Sequence, residues 1–232
     1  MATERKEYQV IKQWAREFYD VPDGHVKDLQ AFYEKLRAKS ASMIAFLAPT
    51  GSVGQGVASF LRDTLEEVGS DHRMVAVTHG TKAGTAGIVT ETLSEYFPVL
   101  AVYPRGINPA QVNYDRLSFW FEVPPVLGEQ TYWPSSYFPL IAYVSGLVCF
   151  GGGRGTAATA DLLANLNDQR LSGEEELIGQ LPKEVAIMTA IRIQERRPRV
   201  IERFLAGDYN GVGNYGVLDR PYQLADFIKS AI

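Results

Sequence analysis

Cysteine is almost absent from this sequence, which excludes two kinds of stabilisation. The single cysteine, Cys149, has no partner for an internal disulfide, and metal sites built on cysteine clusters are excluded. We therefore expect no metal ion and a reducing, cytoplasmic location. Because Cys149 follows Leu147 and Val148 and precedes Phe150, it is predicted to be a buried core residue rather than a nucleophile.

Long hydrophobic runs and an excess of basic residues are also lacking. The longest apolar stretch, residues 137–150, has about 14 residues and contains Pro139, whereas a membrane span needs about 20. The first ten residues are polar and charged, so we expect neither a secretory signal nor a membrane partner. The formal net charge of −4 argues against general nucleic-acid binding but is compatible with a local phosphate pocket.

Two amphipathic helices are predicted before the first convincing strand. Apolar residues recur at helical spacing over 4–19 and again from Asp23, a candidate cap, to about Arg37. These helices either pack on the flank of the core or form a dimer or partner surface. We accordingly divide the chain into an N-terminal helical extension, 1–40, and a main domain, 41–232.

Apolar runs then alternate with helical stretches. The runs predict strands over 43–49, 73–80, 98–104, 117–123 and 146–152. Such alternation predicts an α/β fold, a three-layer Rossmann-like sandwich with a mainly parallel central sheet, preceded by the two N-terminal helices. Beyond Asp168 we predict a polar loop, then a helix over about 182–196, another to about 206, a turn-rich stretch and a last helix over 222–231.

Glycine-rich links follow three of the predicted strands. They are Thr50–Gly56, His79–Gly87 and Gly151–Thr156. In open parallel sheets, ligands bind at these strand ends, where helix N-termini present free N–H groups to an anion. The first link has the spacing G-x-x-G-x-G, no acidic residue ends the next strand, and there is no Y-x-x-x-K pair. A nicotinamide-dependent oxidoreductase is therefore a disfavoured alternative.

Two of these segments together resemble the signature motifs of a known superfamily. The segment 75–106, AVTHGTKAGTAGIVTETLSEYFPVLAVYPRG, is similar to the first motif of the SLOG superfamily, and FGGGRGTAATADLL is similar to its second, P-G-G-x-G-T-x-x-E. This superfamily includes the Lonely-Guy phosphoribohydrolases, the lysine-decarboxylase-like family. The resemblance covers about residues 42–165 and implies a nucleotide-binding site and a homodimer or higher homo-oligomer.

The resemblance carries over to single residues. It places Gly152, Gly153, Gly155 and Thr156 on the phosphate-binding positions and Arg154 on a variable one, where its guanidinium could meet a phosphate or stack on a base. One of Tyr103, Tyr114, Trp120, Tyr132 and Trp133 could also stack on a base. The predicted nucleotide-binding residues are Gly51, Ser52, His79, Gly80, Thr81, Gly84, Thr85, Arg105, Gly152, Gly153, Arg154, Gly155 and Thr156.

The chain departs from the hydrolase pattern at its catalytic positions. Thr159 stands where the motif has its glutamate, and Ser136 and Tyr137 stand where the hydrolases have an Arg-Lys pair. Cleavage of an N-glycosidic bond needs a carboxylate, and the nearest one, Asp161, comes two positions late. We therefore predict a sensor or carrier of a nucleotide or nucleotide derivative, with no further cofactor. A phosphoribohydrolase using Asp161 or Arg154 is the alternative.

Overall fold

A seven-stranded sheet forms the centre of the protein. The computed structural model describes residues 4–51, 54, 56–69, 73–124, 133–173, 181–192, 199–211 and 213–232, with side chains from residue 8 onward. The strands are β1 (Ser42–Leu47), β2 (Met74–Thr78), β3 (Val99–Pro104), β4 (Phe119–Val123), β5 (Gly146–Phe150), β6 (Ile187–Ile191) and β7 (Asn214–Leu218). They lie in the order β4-β3-β2-β1-β5-β6-β7, and all six pairings are parallel.

Helices cover both faces of this sheet. Within the described ranges they are α1 (Glu4–Phe18), α2 (Leu29–Ala38), α3 (Val57–Val68), α4 (Gly84–Ser94), α5 (Tyr137–Ile141), α6 (Arg154–Ser172), α7 (Arg199–Ala206) and α8 (Pro221–Ala231). The side chains of α1, α2, α5, α6 and α7 pack into one hydrophobic cluster, and those of α3, α4 and α8 pack into a second. The predicted three-layer α/β sandwich is confirmed.

The inner strands of the sheet are almost entirely apolar because they are covered on both faces. Every residue of β2, β3 and β5 is buried, and in β1 only the first residue, Ser42, is partly exposed. Alternation of polar and apolar residues is a sign of a half-solvated strand, so its absence here is the mark of a parallel sheet between two helical layers. In the described chain, no helix is long and apolar enough to cross a membrane.

The helix predicted over about 182–196 is wrong. Residues 187–191 form β6, which pairs with β5 on one side and β7 on the other. Alanine, methionine and isoleucine are compatible with a helix, but a central position between two strands decides the conformation here. The helix predicted to end at about 206 is present as α7, and the last helix is present as α8. Part of the predicted turn-rich stretch, residues 214–218, is β7.

Two predicted boundaries are also wrong. The loop predicted beyond Asp168 is helical to Ser172, since Leu163, Leu166 and Arg170 form a buried stripe at helical spacing. Helix α2 begins at Leu29, five residues after the predicted start, and its cap is Asp28, whose side chain accepts from the Ala31 N–H at 3.0 Å. Asp23, the predicted cap, instead accepts from the backbone N–H of His25 at 3.0 Å.

The N-terminal helices pack on the flank of the core. Ala15 of α1 and Leu36 of α2 are fully buried in the cluster that α6 and α7 share. The segment between the helices runs along the edge strand β4, where Trp120 donates its N–H to the Gly24 carbonyl at 2.9 Å and accepts from Val26 at 2.8 Å. This pairing covers part of the sheet edge, which an exposed strand would leave open to other chains.

Candidate ligand-binding site

The carboxyl ends of β1 and β5 meet where the strand order of the sheet reverses. From β1 the chain continues outward to β2, β3 and β4, whereas β5 begins the other half of the sheet. At such a switch point, the two connections leave on opposite faces of the sheet and open a crevice, which is the usual ligand position in parallel α/β sheets. A cavity of about 680 Å³ lies at this place, lined by residues that follow β1, β2 and β5.

Helix α6 begins at the wall of this cavity. Its first backbone hydrogen bond runs from the Ala157 N–H to the Gly153 carbonyl at 3.1 Å, and no side chain caps the helix. The N–H groups of Arg154, Gly155 and Thr156 therefore precede the intrahelical ladder. Because Gly153, Gly155 and Thr156 line the cavity, these donors and the positive end of the helix dipole lie where an anionic group would bind.

The glycines before and inside α6 have different reasons to be glycine. Gly152 has φ +120°, and a Cβ there would lie 2.3 Å from the Thr156 hydroxyl oxygen, so only glycine fits. A Cβ on Gly155 would lie 2.7 Å from the Tyr137 hydroxyl oxygen. A Cβ on Gly153, in contrast, would meet no atom within 4 Å. Packing therefore requires two of these glycines, and Gly153 leaves open space beside the cavity.

The link after β2 forms a second, rigid wall. Gly80 has φ +66°, and a Cβ there would lie 2.5 Å from the Cβ of Ala101 on β3, so the link lies directly against the neighbouring strand. The Asn113 N–H donates to the Gly80 carbonyl at 2.8 Å, and the Lys82 N–H donates to the Gln111 carbonyl at 2.9 Å. The link is thus held by backbone hydrogen bonds on the side away from the sheet.

His79 presents a neutral imidazole to the cavity. Its Nδ1 lies 3.1 Å from the Val102 carbonyl oxygen, which can only accept, so Nδ1 carries the proton and Nε2 keeps a lone pair. Burial lowers the pKa of His79 to about 4, although the hydrogen bond to Val102 opposes this change. The rings of Trp133 and Tyr137, centred 5.6 Å and 6.0 Å from the imidazole, flank it along the cavity wall.

Two further polar side chains line the same wall. Thr81 is only 5% exposed, and its hydroxyl has no hydrogen-bond partner among the described residues. Lys82 follows it and is exposed, with its side chain at the cavity mouth. No aspartate or glutamate stands among the described residues that line the cavity. The cavity therefore combines one cation, uncapped helical N–H groups and neutral polar groups, which suits an anionic ligand that carries a ring.

The structure brings together about half of the predicted site residues. The predicted residues that line the cavity are Gly51, His79, Thr81, Gly153, Gly155 and Thr156. Those that do not line it are Gly80, Gly84, Thr85, Arg105, Gly152 and Arg154. Arg154 is exposed at the first position of α6, next to the lining glycines. Ser52, and Tyr132 of the predicted aromatic set, lie outside the described residues.

Three of the predicted residues have structural contacts of their own. The buried Thr85 hydroxyl accepts from the Gly54 N–H at 2.8 Å and so ties the link after β1 to α4. Arg105 lies 3.9 Å from Glu122 at the end of β4. Asp161 bonds the Arg203 guanidinium and accepts from the Tyr209 hydroxyl at 2.9 Å, so it faces α7 and the segment after it. The carboxylate of the alternative prediction, a phosphoribohydrolase, is thereby engaged away from the cavity.

Sequence reasoning missed several lining residues. They are Lys82, Gln111, Tyr137 and Thr159, while Trp133 was one of five aromatic candidates. Lys82 carried a local signal, since it is the cation inside the second glycine-rich link. Thr159 is buried and donates to the Gly155 carbonyl at 3.0 Å, so its hydroxyl is used within α6. Tyr137 carried a signal only through the resemblance, which places it at a catalytic position of the hydrolases. Gln111 carried none, because only the folded chain brings its segment to the strand ends.

Similar folds are found among solved structures. No family model and no curated protein matches this sequence. A molybdenum cofactor binding protein from Rippkaea orientalis is similar with a TM-score of 0.56 and 12% identity, over 82% of this chain and 96% of that one. The molybdenum cofactor carrier protein of Chlamydomonas reinhardtii has a TM-score of 0.52 and 14% identity, over 82% and 98%. DNA processing protein A from Helicobacter pylori has a TM-score of 0.55 and 10% identity, over 88% and 85%.

Proposed function

We propose that this protein binds a nucleotide or a nucleotide-derived ligand in the cavity at the switch point and acts as its carrier or sensor. The observation that carries the proposal is the cavity itself. Uncapped N–H groups of α6 stand at one wall, and aromatic rings and neutral polar side chains stand at another. A phosphate would accept from the backbone of residues 153–156, with Arg154 and Lys82 as cations within the neighbouring segments.

The base would lie beside Trp133 and Tyr137. Stacking of a base on an aromatic ring contributes about 1–3 kcal/mol and does not depend on base identity. These rings flank His79, whereas the Tyr137 hydroxyl lies against Gly155 at the start of α6. The Tyr137 side chain therefore spans the distance between the aromatic rings beside His79 and the N-terminus of α6. This span suits a nucleoside monophosphate or a larger derivative.

Binding without hydrolysis is the favoured activity. The described cavity lining contains no carboxylate, and Asp161 is bonded to Arg203 and Tyr209. A developing ribosyl cation would find no negative charge among these residues. Two proteins of similar fold are named as binding or carrying the molybdenum cofactor, which supports a carrier role in general terms. Membership of the SLOG superfamily, a homo-oligomeric state and a cytoplasmic location belong to the same proposal.

Thermal unfolding with and without nucleotides tests this function. A ligand at 100 times its Kd adds about 2.7 kcal/mol to the free energy of unfolding, so AMP, CMP or NAD should raise the midpoint measurably. Mass spectrometry after desalting should then find the ligand intact. Absence of any shift across the nucleotide panel would refute the proposal. Rapid release of free base would instead support the phosphoribohydrolase.

A further inference from the structure

His79 and Thr81 each present a polar group to one wall of the cavity. His79 Nε2 has a free lone pair because Nδ1 donates to Val102, and no described residue donates to it. Thr81 is only 5% exposed, and its hydroxyl has no partner among the residues that the structure describes. The two residues are separated only by Gly80, whose backbone is fixed against Ala101 and Asn113.

Leaving a buried hydroxyl without a partner destabilises a protein by about 1–3 kcal/mol. Valine has nearly the same shape as threonine and would remove that penalty at position 81. Other buried threonines nearby do have partners: the Thr90 hydroxyl donates to Thr78 Oγ1 at 3.2 Å, and Thr78 Oγ1 accepts from the Gly80 N–H at 2.9 Å. Of these three threonines, the one whose hydroxyl has no partner among the described residues is the one that lines the cavity, which points to a partner supplied by the ligand.

We propose that His79 and Thr81 form the subsite that recognises the base, with His79 Nε2 accepting from an amino group on the ring and the Thr81 hydroxyl bonding the adjacent ring nitrogen. This inference rests on the proposed function and specifies its ligand class, a nucleotide with an exocyclic amine next to an unprotonated ring nitrogen, as in adenine or cytosine. The flanking rings of Trp133 and Tyr137 place a base rather than a phosphate beside His79.

The hydrogen-bonding states of the two groups determine what they select. A neutral imidazole acceptor needs a donor opposite to it, and a base with no donor at that edge leaves it unpaired and desolvated. The Thr81 hydroxyl can rotate so that its hydrogen points at the neighbouring ring nitrogen and donates to it. Purine riboside 5′-monophosphate, which differs from AMP by lacking the amino group, is therefore expected to bind about tenfold more weakly than AMP.

The first experiment compares AMP with purine riboside 5′-monophosphate on the wild type and on His79→Ala by calorimetry. The wild type should prefer AMP about tenfold, and the ratio should fall to near one in the variant. Equal binding of both ligands to the wild type would overturn the inference while leaving the proposed function intact. If 2′-deoxyAMP bound more weakly than AMP while purine riboside 5′-monophosphate did not, the donor would lie on the ribose and the assignment to the base would be overturned. If no nucleotide binds, the proposed function fails and this inference with it.

The second experiment uses Thr81→Val, with Thr90→Val as the matched control. Without nucleotide, Thr81→Val should unfold about 2–4 °C above the wild type because an unsatisfied hydroxyl is removed. Its affinity for AMP should fall about tenfold. Thr90→Val, which loses a buried hydrogen bond, should unfold below the wild type. A midpoint of Thr81→Val below the wild type, or unchanged AMP affinity in that variant, would overturn the role of Thr81.

Discussion

The hydroxyl of Tyr137 occupies the space that a side chain on Gly155 would need. Its oxygen lies 2.7 Å from the position of a Cβ on Gly155, and the next ring atom lies at 3.5 Å, an ordinary contact distance. The first turn of α6 and the aromatic wall of the cavity are therefore fitted to one another. A side chain at position 155 would therefore have to displace either the Tyr137 ring or the first turn of α6.

Gly155→Ala is expected to destabilise the protein less when Tyr137 lacks its hydroxyl. Alanine at position 155 crowds an atom at 2.7 Å, whereas Tyr137→Phe removes that atom and leaves the nearest one at 3.5 Å. In a double-mutant cycle, the coupling free energy should be about 1 kcal/mol or more. Urea unfolding of the two single variants and the double variant measures it. Strict additivity would show that the contact carries no strain.

Gly153→Ala should separate folding from binding. The new methyl group would meet no protein atom within 4 Å, so the free energy of unfolding should change by less than about 1 kcal/mol. The same methyl group would lie in the open space that a phosphate is proposed to fill. The rise in unfolding midpoint with AMP should therefore disappear. An unaltered AMP effect in this variant would move the phosphate away from α6.

Arg154→Ala should weaken binding and leave the unliganded protein unchanged. Arg154 is exposed, and within the described ranges its guanidinium makes no ion pair, so its loss costs little stability. We expect the nucleotide-induced shift in unfolding midpoint to be smaller in the variant than in the wild type. Added salt should reduce this shift more in the wild type than in the variant, because it screens the charge that the variant lacks. Lys229→Ala, an exposed cation in the last turn of α8, is the control. A shift of equal size in both variants would contradict a local role for Arg154.

Asp161→Asn should lower stability without affecting the ligand. The carboxylate bonds Arg203 and accepts from Tyr209 at 2.9 Å, linking α6 to α7. Its side chain is a third exposed, so we expect a loss of only about 1–2 kcal/mol in the free energy of unfolding. The nucleotide-induced stabilisation should remain the same as in the wild type. A variant that folds normally but loses base release would instead identify Asp161 as catalytic.

Acid should destabilise the protein partly through His79. Burial holds the pKa of His79 at about 4 in the folded state, below its usual value of about 6.5 in an unfolded chain. As the pH falls from about 6.5 to 4, the unfolded chain binds a proton that the folded one does not, so stability decreases. The loss is at most about 3 kcal/mol. His79→Ala should show a shallower decrease over that interval, and parallel pH profiles would exclude this contribution.

Those strands of the sheet could be predicted whose apolar composition follows from burial alone. β1, β2, β3 and β5 are almost entirely apolar because helices cover both faces of the sheet, and recognising this pattern requires no knowledge of the pairing partners. β6 could not be predicted in this way, since Met188 and Ala190 are equally suited to a buried helix. Its conformation depends on pairing with β5 and β7, contacts that are distant in sequence and leave no local periodicity.

The site residues could likewise be predicted where the signal is local in sequence, and not where it depends on distant contacts. Gly153 and Thr156 could be predicted because a glycine-rich turn after a strand is a local signal. The tautomer of His79 could not, because it depends on a carbonyl of Val102, 23 residues away on β3. Trp133 and Tyr137 come from the segment before β5, and only the topology brings them to the end of β2. Local signals thus found the helix N-terminus, whereas the opposite wall required the fold.

The close packing of Gly80 on Ala101 fixes the distance between the link after β2 and strand β3. Their separation leaves no room for a Cβ on residue 80, since its distance to the Ala101 Cβ would be 2.5 Å. Ala101 is not among the residues that line the cavity, yet its size limits how closely the segment 79–81, which carries His79 and Thr81, can lie to β3. A larger side chain at position 101 would displace the segment 79–81 and narrow the cavity. Ligand selectivity would then change although the substituted residue does not line the site. Pocket width in this fold can therefore be engineered from a neighbouring strand.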